Sequence, residues 1–135
     1  MKSIAKTSIF IALTFFCSSA FSQNFYPVKE IPSGKALVYI YRPSSFTGIA
    51  VNYYVNANDA KVSTNQLRNG TYLVYYAEPG KYAFWSSVST VFRLVHLDVE
   101  AGKTYYVRAK NCRGFTIPAT EKAEKEIVKC NLSEK

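Results

Sequence analysis

The sequence is poor in the groups that carry covalent chemistry. It holds one histidine, His96, and only 9 acidic residues among 135. No Gly-x-Ser-x-Gly elbow exposes a serine nucleophile, and no Cys-x-x-Cys pair is present for thiol exchange. Beyond residue 22 the chain holds two separated cysteines and one histidine, too few ligands for a zinc site, so no metal is expected. Gly102-Lys103-Thr104 has the ending of a phosphate-binding loop, but Leu97 stands where the first glycine is required, and Tyr105-Tyr106-Val107 reads as strand rather than helix. No cofactor is therefore expected. Asp59 and Glu78 fall in turns, and nothing aligns Asp98 and Glu100 as the carboxylate pair of a glycosidase. Alternation puts His96 and Asp98 on one strand face, where an exposed histidine beside a carboxylate is the ordinary outcome. These absences point away from an enzyme.

Long hydrophobic runs are equally scarce. The one apolar stretch near the N-terminus, Ile9 to Phe16, follows Lys2 and Lys6 and precedes Ala20-Phe21-Ser22. That is the layout of a secretory signal peptide cleaved before Gln23, and the stretch falls short of the roughly 20 residues of a membrane span. Cys17 follows Phe16, a poor match to a lipobox, which wants a small residue there, so lipid anchoring is not expected. The mature protein is expected to be exported, periplasmic or secreted.

Removing residues 1–22 leaves 113 of the 135 residues, enough for one domain. Lys2 and Lys6 go with the signal, so the 17 basic residues become 15 against 9 acidic, a net charge of +6. That balance favours anionic surfaces. Nucleic acid is not an expected partner, since the chain is read as exported and has no basic run. Cys112 and Cys130 remain, and an oxidising compartment predicts a disulfide between them. Closing that loop would contribute roughly 3 kcal/mol.

Turn signals at Ser33-Gly34, Pro43-Ser44-Ser45, Asn58-Asp59, Asn69-Gly70, Pro79-Gly80 and Ala101-Gly102 separate short runs rich in Val, Ile, Tyr and Phe. Such spacing predicts an all-β chain, here an antiparallel β-sandwich of about seven strands with a short C-terminal helix. The strands are expected at Lys35 to Arg42, Ala50 to Asn56 with a return through Lys61-Val62, Thr71 to Ala77, Lys81 to Val88, and a last hairpin of Val91 to Val99 with Thr104 to Lys110. The helix falls in Ala119 to Lys129, with a thin apolar stripe of Ala123, Ile127 and Cys130. A signal peptide (1–22), an arm (23–33), a sandwich domain (34–112) and a helical extension (113–135) make up the predicted organisation.

Tyrosines are abundant, 11 in all. The pairs Tyr53-Tyr54, Tyr75-Tyr76 and Tyr105-Tyr106 each send one ring inward and one outward. Surface rings with Trp85 and arginines could stack on a sugar, giving a carbohydrate- or glycolipid-binding module as the alternative to a general binding or structural role.

The stretch from Gly34 to Ser44 (GKALVYIYRPS), with Asn69-Gly70-Thr71-Tyr72, Pro79-Gly80-Lys81 and Glu100 to Arg108 (EAGKTYYVR), resembles the bacterial domain of unknown function 2846 family. The resemblance runs from Gly34 to Lys110. It implies an exported or lipid-anchored envelope protein with a compact β-fold similar to PEGA-type domains, and it supplies no catalytic residues. Two departures stand out: Asn58-Asp59-Ala60 replaces a frequent Asp-Gly turn, and the lipobox of many relatives is missing. The expected function is a non-catalytic envelope module whose partner is an envelope protein or glycan. The opening motif suggests Tyr41 and Arg42 for a ligand-binding face, and Arg93 and Arg108 join them as basic residues on expected strands.

Overall fold

The computed structural model describes residues 25–47 and 50–134. The expected signal peptide and Cys17 lie outside the described residues.

Strand β1 (Ala36–Arg42) is buried at all seven positions, which is what a central strand covered on both faces requires. Ala36, Val38 and Ile40 face a core between two sheets, while Leu37, Tyr39 and Tyr41 face a second apolar layer. The chain continues through β2 (Asn56–Ala57), β3 (Ala60–Lys61), β4 (Thr71–Ala77), β5 (Gly80–Trp85), β6 (Val95–Val99), β7 (Thr104–Ala109), β8 (Phe115–Thr116), helix α1 (Thr120–Ile127) and β9 (Asn131–Leu132). One sheet has the order β8-β7-β1-β4-β9 and the other β3-β2-β5-β6. The molecule is thus mostly β and sandwich-like with one short helix, as the sequence predicts, with nine strands among the described residues.

The pairing holds two surprises. β6 and β7 do not form a hairpin, because β6 pairs with β5 and β7 runs parallel to β1. The turn through Gly102 (φ 80°) is a corner between sheets. β4 and β9 are also parallel. The region read as a second strand, Ala50 to Asn56, gives only the Tyr53–Leu67 bridge before β2 begins.

Helix α1 covers the outer face of the five-stranded sheet with Ala123 and Ile127, and Cys130 completes the expected stripe. Phe25 of the arm joins this layer, edge-on to Tyr39 at 5.2 Å and Tyr72 at 5.0 Å. The Val28 N–H donates to the Tyr39 hydroxyl at 2.8 Å. The C-terminal stretch supplies not only the helix but also β8 and β9, the two edges of this sheet.

The expected Cys112–Cys130 disulfide is not formed, and both thiols are free. Cys130 is 1% exposed in the layer under the helix, its Sγ 3.8 Å from the Arg42 carbonyl. Cys112 sits in the β7–β8 loop, near Tyr53 of the core between the sheets. The sheet separates the two sulfurs. Packing of Ala123 and Ile127, together with a Glu126 ion pair, fixes the helix instead.

Candidate functional site

The four residues expected to form a face do not share one. Tyr41 and Arg108 are register partners on β1 and β7, and both are engaged by the helix. The Tyr41 hydroxyl donates to Glu126 Oε1 at 3.1 Å, and Arg108 Nε donates to Glu126 Oε2 at 3.0 Å. Burial, and next the neighbouring Glu126 carboxylate, push the Tyr41 phenol well above its ordinary range. Arg42 is 0% exposed on the opposite side of β1. Its Nη1 donates to the Val51 carbonyl at 2.5 Å, and its guanidinium lies 5.3 Å from the centre of the Tyr53 ring. These three side chains hold the fold together.

Arg93 stands apart, at a joint between the two sheets. Its N–H donates to the Arg113 carbonyl at 2.9 Å, and its own carbonyl accepts from the Phe115 N–H at 3.0 Å. The segment leading into β6 is thereby stitched to the β7–β8 hairpin. Gly114 makes this approach feasible: a Cβ there would lie 2.6 Å from the Arg93 carbonyl oxygen and 2.7 Å from its nitrogen. The hairpin closes with the Lys110 N–H donating to the Gly114 carbonyl and the Arg113 N–H to the Lys110 carbonyl, each at 2.9 Å. Below, Phe92 meets Phe115 edge-on at 4.9 Å and Tyr53 at 5.7 Å. The Tyr53 hydroxyl donates to the Asn111 carbonyl at 2.7 Å, anchoring the loop tip to the core.

This joint walls a cleft of about 490 Å³. Arg93, Lys110 and Arg113 line it with Val91, Phe115 and Thr116, and no carboxylate, histidine or cysteine is among its lining residues. Three cations on an apolar floor can hold an anion, and the floor lowers the screening that water would impose. His96 and Asp98 are exposed on β6, outside the cleft.

Sequence reasoning located Arg93 and missed Lys110 and Arg113. The signal was there in Arg113-Gly114, a turn pair close behind the β7 run, but a boundary placed after residue 112 cut through the hairpin. The surface aromatic cluster is thin. Tyr39, Tyr41, Tyr53 and Tyr72 are buried, and Trp85 donates its indole N–H to the Asn58 carbonyl at 2.8 Å. Tyr54 and Tyr76, the outward members of two pairs, belong to different parts of the molecule, Tyr54 beside Lys61 and Tyr76 on β4.

The fold and this joint define a small two-sheet domain with one helix and a cation-lined cleft. Residues 32–124 match the family described as protein of unknown function, DUF2846, and the chain belongs to that family. No curated protein matches the chain. Among the described residues, no helix is long and apolar enough to cross a membrane.

Proposed function

We propose that the chain is an exported, non-catalytic binding module of the bacterial cell envelope, and that the cleft takes an anionic group of an envelope glycan or glycolipid. One observation carries this reading: Arg93, Lys110 and Arg113 converge on a single cleft with no carboxylate among its lining residues. Like charges are costly to gather, and a group that neutralises them recovers that cost. The apolar rim of Val91 and floor of Phe115 suit the non-ionic part of the same ligand.

Co-sedimentation of the purified protein with isolated envelope fractions, at low and high salt, tests the reading. Replacing Arg93, Lys110 and Arg113 together by alanine is expected to weaken binding roughly tenfold or more, from three exposed charge contacts. Binding unchanged by the triple substitution would remove the cleft from consideration. Binding of neither protein to any fraction would remove the envelope ligand as well.

A further inference from the structure

Strand β6 is an edge of the four-stranded sheet, paired with β5 on one side and with no strand on the other among the described residues. Its open groups follow from its neighbour. Ala83 of β5 turns away from β6, its N–H donating to Asn58 Oδ1 at 2.8 Å and its carbonyl accepting from the Asn58 N–H at 2.9 Å. Tyr82 and Phe84 therefore direct their backbone groups at Leu97 and Val95, their partners on β6. Alternation leaves the N–H and C=O of His96 and Asp98 on the open edge.

The same two residues carry the ionisable side chains of β6, and both are exposed, while Val95, Leu97 and Val99 face the core. The strand has no proline or lysine, the usual means of blunting an edge. Its sequence, Val-His-Leu-Asp-Val, is self-complementary. An antiparallel copy centred on Leu97 sets His96 opposite Asp98 and Asp98 opposite His96. Centring on Asp98 would oppose two carboxylates, and centring on His96 two imidazoles.

We propose that the protein forms a two-fold dimer by pairing β6 with β6 of a second copy, with cross-strand His96–Asp98 pairs fixing the register. The open N–H and C=O groups of each His96 are satisfied by those of the opposing Asp98. Facing these side chains from β5 are Lys81, opposite Asp98, and Ala83, opposite His96. Lys81 places a further cation beside each carboxylate. The contact is isologous and smaller than a standard interface, so the dimer is weak and appears at high protein concentration.

Sedimentation equilibrium of the full chain at pH 6, from micromolar to millimolar protein, tests the pairing. The wild type is expected to show a monomer–dimer equilibrium. His96→Asp sets carboxylate against carboxylate at both pairs and should weaken association by about tenfold. The exchange His96→Asp with Asp98→His restores opposite charges and should restore the dimer. Asp98→Pro removes an outward N–H that edge strands can spare, and should abolish association while leaving the far-ultraviolet circular dichroism unchanged. A wild type that stays monomeric at millimolar concentration overturns the proposal and leaves this edge to a strand of another protein. A dimer indifferent to these substitutions overturns it too, because the contact must then lie elsewhere.

Discussion

The hydroxyl of Tyr41 donates to Glu126 Oε1 at 3.1 Å, joining the fully buried strand β1 to helix α1. The other side of the same carboxylate takes Arg108 at 3.0 Å. One helical residue thus gathers two residues that sit opposite each other on β1 and β7. Both partners are sheltered: Tyr41 is fully buried, and the ion pair is mostly covered.

Glu126→Ala is therefore expected to lower unfolding stability by about 2 kcal/mol, since it strands the Tyr41 hydroxyl and the Arg108 guanidinium together. Tyr41→Phe removes one hydrogen bond and should cost about 1 kcal/mol. The double variant should cost less than the sum, because both substitutions break the same bond. Urea unfolding of the three variants measures this. Strict additivity would mean that the bond contributes nothing.

Gly114 and Gly34 make a matched pair for testing the joint. Both have positive φ, 142° and 76°, but a Cβ on Gly34 meets nothing within 4 Å. Gly34→Ala should cost about 1 kcal/mol, the strain of a left-handed residue. Gly114→Ala forces a methyl group to 2.6 Å from the Arg93 backbone, which cannot yield without breaking the bridge. It should cost more than Gly34→Ala and also weaken anion binding, because Arg93 leaves the cleft. Equal stability losses, with binding intact, would show that the joint does not position Arg93.

What the sequence disclosed and what it hid divide along a physical line. β4 has the expected bounds, and β1 and β7 differ from expectation by one residue, because runs of Val, Ile and Tyr are a local signal. The turns at Gly34, Gly70 and Gly102 do hold left-handed glycines. Pairing is not local. Glu100 to Lys103 has the chemistry of a hairpin turn, yet β7 joins β1, some 67 residues upstream, in parallel register from Leu37↔Thr104. Only the burial of β1 on both faces hinted at it, since such continuous apolar strands belong to parallel neighbours. β8 and β9, two residues each, carry no periodicity at all. The cleft depends on β8, so Arg93 was visible as a cation while its companions were not.

The thiols give a direct check on the free cysteines. Cys130 is 1% exposed, and burial followed by the nearby Glu126 charge pushes its pKa up to about 12. Cys112 is partly exposed in the β7–β8 loop. Purified protein treated with an aromatic disulfide reagent at pH 8 should label Cys112 promptly, whereas Cys130 should react only after denaturant is added. A protein in which neither Cys112 nor Cys130 is labelled even in denaturant would carry the Cys112–Cys130 bridge after all, with the sheet rearranged to allow it.

Alkaline pH should unfold the domain, and the sign follows from which state holds its protons. Tyr41 and Tyr53 are raised by burial above the ordinary phenol range, and Cys130 is raised to about 12. In the unfolded chain, thiols release their protons near 8.5 and phenols near 10. The folded state therefore binds more protons in that range, so stability falls as pH rises. The contribution is fully present below about pH 8.5, where both states are protonated, and is lost as pH climbs towards the folded values. Each group adds a slope of about 1.4 kcal/mol per pH unit once its unfolded form has ionised. Urea midpoints from pH 7 to 11 should stay level at first, then decline from about pH 8.5 and more steeply beyond pH 10. Cys130→Ala, although less stable throughout, should delay the onset to about pH 10, because the buried phenols are then the first of the raised groups to ionise in the unfolded chain. A midpoint that holds level to pH 11 would mean that these groups ionise as readily in the folded protein as outside it.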